Sequence, residues 1–191
     1  MAKVVVKSKV KKVKRKFPVE IKAPEVFNKV SLGTSNITDL KTFVGKSVKI
    51  NLMYITKSIR NQNVRLIFVV DEVSSGVATT KVKSYIQIPY YVNRFLKAGS
   101  DLVEDSFTCK SKDNFNLRIK PFIITKANTS GIILSSIRGK INELVSAEAK
   151  NKTAEEFVYA ITTGKVQLSL RNEIKKIYPI KTLEFKRIDI E

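Results

Sequence analysis

Hydrophobic and polar positions alternate with a period of two through much of residues 47–125, and beyond residue 130 the period lengthens to about 3.6. A strand-rich stretch therefore gives way to a helical one. Over 47–56, Val48, Ile50, Leu52 and Tyr54 fall on one face and Lys49, Asn51 and Met53 on the other, which predicts a half-buried strand. Residues 64–73 are apolar on both faces and rich in β-branched side chains, as expected of a central strand, and Ser74, Ser75 and Gly76 make a turn. The alternation resumes over 77–88, with Val82, Ile86 and Ile88 expected inward and Lys81, Lys83, Tyr85 and Gln87 outward.

A short helix is predicted over 89–98, with Pro89 at its first turn and Gly99 just past its end. Strands over 102–110 and 115–125, joined by Lys112, Asp113 and Asn114, read as a hairpin; Phe115, Leu117, Ile119 and Ile123 share one face of the second, leaving Arg118 and Lys120 on the other. Ile133, Ile137, Ile141, Leu144 and Val145 form the stripe of a helix over 131–150. Thr153 with Glu156 three residues on is a capping-box signature that opens a second helix, buried through Phe157, Ala160 and Ile161 and stopped by Gly164. A third helix, over 165–178, carries the stripe Val166, Leu170, Ile174, Ile177 and ends at Pro179; a last strand follows over 180–190. Ahead of all these, Pro18 and Pro24 make residues 17–28 an extended connector. The order predicts an α+β fold with a mostly antiparallel, barrel-like sheet, one inserted short helix, a three-helix segment and a returning strand. Residues 17–191 form one domain in this scheme, strand-rich over 44–126 and helical over 131–178.

Residues 1–16 change the picture. They hold seven lysines and one arginine with no acid, alternate Lys with Val, and lack an apolar face, so a disordered basic arm is expected. The whole chain carries 36 basic and 17 acidic residues, a net charge of +19, and setting the arm's eight positives aside still leaves +11. Charge this far from zero opposes compaction unless a dense anion neutralises it. Nucleic acid is the natural candidate. An anionic membrane is the poorer one, because the arm has no helical face of Trp, Phe or Leu to insert. No run reaches the roughly eighteen apolar residues that span a bilayer, the basic start lacks the apolar segment of a secretory signal, and a cytoplasmic location is expected.

Catalysis has little to work with. Histidine is absent, no phosphate-cradling glycine loop occurs, and the one cysteine, Cys109, reads as a small core residue. The acidic cluster Asp101, Glu104, Asp105 is too local to supply the ~6 oxygens around a hard cation. Neither an enzyme nor a cofactor, metal or small-molecule substrate is expected. Nucleic-acid contacts are expected from the arm (Lys3, Lys7, Lys9, Lys11, Lys12, Lys14, Arg15, Lys16), from Lys81 and Lys83, from Arg118 and Lys120, and from the C-terminal set Arg171, Lys175, Lys176, Lys181, Lys186 and Arg187. Such groups thread along phosphates and release counterions, giving affinity without sequence readout.

Two stretches then stand out. I-K-A-P-E-V-F-N at residues 21–28 and I-Y-P-I at 177–180, followed by Lys186 and Arg187, resemble the start and end of the archaeal and eukaryotic small-subunit ribosomal protein family eS-one, also written S-three-Ae. Asn116-Leu117-Arg118-Ile119 is similar to the family's G-Y-x-L-R-L segment, and three helices precede the I-Y-P motif. The resemblance implies a structural protein on the platform of the small subunit, near the 3′ end of its RNA and the messenger exit, with a β-barrel-like body carrying helices. It also implies small-subunit ribosomal RNA and neighbouring ribosomal proteins as partners, with messenger RNA near the exit as a further one. Lys22 in the K-A-P motif and Arg138 and Lys140 on the first long helix join the expected RNA contacts on that basis. The chain departs from the family pattern at Phe17, where a tryptophan is usual, and at Gln87-Ile88-Pro89-Tyr90-Tyr91, where the family has D-L-T-R-D. A free RNA-binding or RNA-chaperone module outside the ribosome is the alternative.

Overall fold

The structure is a computed structural model that describes residues 16–191; the arm from Met1 to Arg15 lies outside the described residues. Nine strands form one mixed sheet, with helices packed on it. The strands are β1 (Phe17–Lys22), β2 (Ser31–Ile37), β3 (Ser47–Asn51), β4 (Val64–Ser74), β5 (Val77–Gln87), β6 (Leu102–Glu104), β7 (Phe107–Lys110), β8 (Asn116–Thr125) and β9 (Ile180–Ile190). The helices are α1 (Leu52–Thr56), α2 (Pro89–Asn93), α3 (Gly131–Lys150), α4 (Ala154–Thr162) and α5 (Lys165–Ile174).

Two long strands organise the sheet. One edge of β5 pairs with β4; its other edge is shared between β1, parallel at residues 77–79, and β9, antiparallel at 84–86. β8 behaves alike, with β9 on one edge and β6 and β7 dividing the other. The sheet is open, so the barrel-like expectation is corrected: β2, β3, β6 and β7 each pair on one side only, and the β1–β5 pairing makes the sheet mixed. The register shifts at Lys83, which β4 leaves unpaired, and at Lys186, which β8 leaves unpaired. Each bulge adds local twist and re-aims the chain beyond it.

The first bulge overturns one expectation. Ala78, Thr80 and Val82 are buried in alternation, and beyond the bulged Lys83 the inward positions are Tyr85 and Gln87, while Ser84 is buried on the outer side against Asp189 and Ile86 and Ile88 are only half-buried. Tyr85 and Gln87 therefore point into the protein, not outward. Three element bounds also move. Residues 52–56 turn into α1 because Asn51 caps them, its side chain accepting from the Met53 N–H at 3.0 Å, and Tyr54 is left exposed. α2 stops at Asn93 and α5 at Ile174, each continuing as turns, so Ile177 is partly exposed. The supposed connector contains β1, and β2 follows it. Pro18 is tolerated because β1 there pairs only with β2; the bonds to β5 begin at Glu20.

The single strand expected over 102–110 is broken at Asp105 and Ser106 into β6 and β7, which pair separately with β8. α3 and β9 have the predicted bounds. The capping box at Thr153 is formed, with the Glu156 N–H donating to the Thr153 hydroxyl at 3.3 Å and the Thr153 N–H donating to the Glu156 carboxylate at 3.0 Å. α3, α4 and α5 lay Ile137, Ile141, Val145, Phe157, Ile161 and Leu170 against Leu117, Ile119, Ile188 and Phe185 of the sheet in the main core. α2 covers the opposite face of the far end of β8 through Val92 on Phe122 and Ile124. The near end of that face stays open.

The β4–β5 hairpin turns on two residues in the left-handed region, Ser75 (φ 50°) and Gly76 (φ 80°). That is the geometry for which Asn-Gly is favoured. Ser75→Asn is expected to stabilise the protein by about 0.5 kcal/mol and Gly76→Val to destabilise it by about 1 kcal/mol or more. Urea unfolding of the two variants beside the parent checks both signs.

Candidate nucleic-acid interface

Because the helices cover one face of the sheet, the register decides what the other face presents. Two rows of outward neighbours cross it. One runs Asn51, Arg65, Ile86, Arg187, Lys120 over β3, β4, β5, β9 and β8. The next runs Lys49, Ile67, Ser84, Asp189, Arg118, Thr108 and ends on β7. Lys110 lies opposite Asn116 beside Arg118, and the bulged Lys83 is exposed on β5 next to Ser84. Cross-strand neighbours stand about 5 Å apart, so the cations form two groups on one face, Lys49 with Arg65 on β3 and β4, and Arg187, Lys120, Arg118 and Lys110 on β9, β8 and β7, with Ile86, Ile67 and Ser84 between them.

Asp189 is the acid within the two rows, and it is held down. Ser84 Oγ donates to Asp189 Oδ1 at 2.7 Å and Arg187 Nε to Oδ2 at 2.6 Å. No aromatic side chain lies in either row, and Tyr85, expected here, is buried. A face of cations without stacking platforms suits phosphates better than bases.

The expected contact residues divide by what they already do. Lys16, Lys83, Arg118 and Arg138 are exposed and Lys120 half-buried, and Lys175 is exposed at the end of α5. Lys22 pairs with Glu20 at 3.7 Å, Lys81 with Asp71 at 2.8 Å, Lys140 with Glu143 at 2.9 Å, Lys176 with Glu173 at 2.8 Å, Lys186 with Glu104 at 3.1 Å and Arg187 with Asp189 at 2.6 Å. Surface pairs of this kind contribute about 0–1 kcal/mol, so a phosphate can displace the carboxylate. Two others are joints: Arg171 Nη2 donates to the Lys181 carbonyl at 2.9 Å, and Lys181 Nζ donates to the Phe95 carbonyl at 3.0 Å. Arg118, Lys120, Arg187 and Lys83 are brought onto one face; Arg138, Lys140, Arg171, Lys175 and Lys176 lie on the helical layer. Lys49, Arg65 and Lys110 were missed. The alternation of β3, β4 and β7 gives their outward direction, but only strand order shows that Lys110 lies near Arg118 and that Arg65 lies across Ile86 from Arg187.

The acidic cluster is structural. Asp101 accepts from the Thr129 N–H at 2.7 Å, Asp105 from Asn142 Nδ2 at 3.0 Å, and Glu104 pairs with Lys186. Among the described residues no group of His, Cys, Asp and Glu could hold a metal ion, and no helix is long and apolar enough to cross a membrane. Burial pushes the Cys109 thiol up to about 11, which keeps it protonated and unreactive.

The motifs at the two ends are joints as well. Ala23 and Phe27 of I-K-A-P-E-V-F-N are buried, and the Phe27 ring meets Phe68 and Tyr159 edge-on at centroid distances of 5.9 and 5.4 Å. In I-Y-P-I the Tyr178 hydroxyl donates to the Asn128 carbonyl at 3.3 Å and Ile180 is fully buried. The model of the Ribosomal S3Ae family matches residues 5–191. The chain belongs to that family. The S3Ae proteins are ribosomal structural proteins of the cytoplasmic ribosome, not enzymes. Among the relatives of this S3Ae chain, small ribosomal subunit protein eS1 of Nanoarchaeum equitans is 30% identical over 166 residues, covering 87% of this chain and 84% of its own length. The proteins of the same name from Methanothermobacter thermautotrophicus and Halorubrum lacusprofundi are 29% and 28% identical, covering 86% and 88% of this chain and 84% and 79% of their own lengths.

Where β5 and β9 stop pairing, beyond Ile86 and Arg187, Gln87 and Glu184 meet across the gap. Gln87 Nε2 donates to Glu184 Oε2 and the Tyr91 hydroxyl to Oε1 at 3.3 Å. Burial holds the Glu184 carboxyl above its ordinary value of 4.5, against the lowering effect of those two bonds. Between 4.5 and the raised value the folded protein holds a proton that the unfolded chain has released, so this group's contribution to stability falls as pH rises through that window. Glu184→Gln is therefore expected to gain stability over the parent near neutral pH, and the gain to shrink as pH falls toward about 4.5. Urea unfolding of both proteins across that range measures it.

Proposed function

We propose that this chain is a structural constituent of the small ribosomal subunit that binds ribosomal RNA through phosphate contacts. The observation that carries this is the outer sheet face, which brings Lys120, Arg118 and Lys110 beside the Arg187–Asp189 pair and adds Lys83, Arg65 and Lys49 on β5, β4 and β3. Membership of the Ribosomal S3Ae family and the name of its relatives supply the ribosome as the setting. The lysine-rich arm at residues 1–16 adds a second phosphate contact, ahead in sequence of the domain formed by 17–191. Arg138 and Lys140 on α3, with Lys175 and Lys176 after α5, extend the contact over the helical layer, and Lys22, Lys81 and Lys186 exchange carboxylate for phosphate on binding. The resemblance of the terminal motifs supports a position on the platform, near the messenger exit and the 3′ end of the small-subunit RNA, among neighbouring ribosomal proteins and close to the messenger.

The chain is expected to sediment with small subunits and to be stripped from them by high salt; recovery mainly as free protein at low salt would overturn the proposal. Deleting residues 1–16, or combining Arg65→Glu, Arg118→Glu and Lys120→Glu, should weaken binding to small-subunit RNA. Either change should also flatten its salt dependence by about 0.7–0.9 of a unit in log–log slope for each phosphate that the protein no longer neutralises. A filter-binding series over salt concentration reads both effects, and an unchanged slope would exclude the altered group from the interface.

A further inference from the structure

The gap between β5 and β9 opens a cavity of about 480 Å³, roofed by Tyr91 and Phe95 near α2 and walled by α5 and the α4–α5 turn. It is many times the ~30 Å³ that one water occupies. Polar atoms around it are unsatisfied in a defined way. Gln87 is 2% exposed and gives its amide nitrogen to Glu184, which leaves Gln87 Oε1 buried without a partner. Gln167 Nε2 donates to the Ile161 carbonyl at 2.8 Å, which leaves Gln167 Oε1 in the same condition. Arg171 Nη2 is engaged with the Lys181 carbonyl while its buried Nε has no acceptor. Because each amide nitrogen is already committed, neither glutamine can be flipped to satisfy its oxygen. Among the described residues no cation lies within ion-pair distance of Glu184.

The cavity thus offers the half-buried Glu184 carboxylate, which can accept further donors, while the two amide oxygens and Arg171 Nε lie buried behind its wall. A cationic side chain would meet that carboxylate but would also be repelled by Arg60 and Arg171, which line the same space. Of the four nucleobases, guanine alone presents two adjacent donors, N1–H and the N2 amino group, beside an acceptor, O6. A carboxylate has about four lone-pair sites, so Glu184 can accept both donors while keeping its bonds from Gln87 and Tyr91. Tyr91, Phe95 and Leu168 supply aromatic and apolar surface for the base, and splaying single bases into such sites is how sequence-specific RNA contacts are commonly made. We propose that this cavity receives an extruded guanine of the bound RNA, with Glu184 accepting from its N1–H and its N2 amino group. The proposal rests on the RNA-binding role above and adds one point of base readout to a surface otherwise built for phosphate.

The test titrates the full chain with 5′-GMP and, as phosphate-matched controls, 5′-AMP and 5′-CMP, following the side-chain amide NMR signals of Gln87 and Gln167. GMP is expected to shift both signals saturably at concentrations about tenfold lower than either control. Glu184→Gln should abolish that preference while leaving the weak, salt-sensitive binding of all three nucleotides to the basic face. Equal behaviour of the three nucleotides, no shift with any of them, or a preference that survives Glu184→Gln would overturn the guanine site. Stronger shifts with N-acetyl-arginine amide than with GMP would overturn it in favour of a basic protein tail. Filter binding of a small-subunit RNA fragment to the same samples separates the two ideas: bound fragment without guanine preference removes the pocket alone, and guanine preference with no bound fragment removes the RNA role while upholding the pocket.

Discussion

Everything in this fold depends on β9 pairing on both of its edges. Within the sheet it is the sole junction between β1–β5 and β6–β8, joined to β5 over three residues and to β8 along nearly its whole length. Its inward residues Leu183, Phe185 and Ile188 tie the helices to both halves, and its outward residue Arg187 stands beside Lys120 of β8 and across Ile86 from Arg65 of β4. The short β5–β9 contact is the weak point of that arrangement. Beyond it the sheet parts, and Gln87, Glu184 and Arg171 fill the parting with polar groups that a continuous sheet would have replaced by backbone bonds.

The division of labour between the two faces follows from ordinary chemistry. Leu, Ile and Phe on one side of β8 and β9 need cover, which α3, α4 and α5 provide. The other side is left with Arg and Lys, whose mutual repulsion costs stability in the free protein and which a phosphate backbone would relieve. Phe27 and Tyr178 of the terminal motifs do none of this work directly. Phe27 fastens the β1–β2 connection to α4 through Tyr159, and Tyr178, just after α5, fastens the chain to Asn128 ahead of α3, so both motifs hold the sheet and the helical layer together.

Much of this was legible in the sequence, and the failures have identifiable causes. α3 announces itself by a long 3.6-residue stripe, α4 by the Thr153–Glu156 capping box, and β9 by Pro179 ahead of an alternating run. Tyr85 and Gln87 were misplaced because a bulge at Lys83 is a property of the β4–β5 pairing and has no signature in β5 alone. β1 was hidden by Pro18, a residue that sheets accept only where a neighbour is missing, and that vacancy is a fact of strand order. Arg118 and Lys120 were readable as outward residues, while their union with Arg65, Lys49 and Lys110 was not, since adjacency across strands is set by register. The polar cavity was invisible for the same reason: Gln87, Gln167, Arg171 and Glu184 come from separate elements.

The position of β9 in the chain also bears on biosynthesis. It is translated after every strand and helix that it joins, so while the ribosome is still making this protein the edges of β5 and β8 that it will occupy stand unpaired. The rows Arg65–Arg187–Lys120 and Lys49–Asp189–Arg118 come into being only when that last strand docks. A prematurely terminated chain would keep its positive charge but not the spacing that makes it a surface, and so would be poorly placed to compete with intact molecules for a site in an assembling particle.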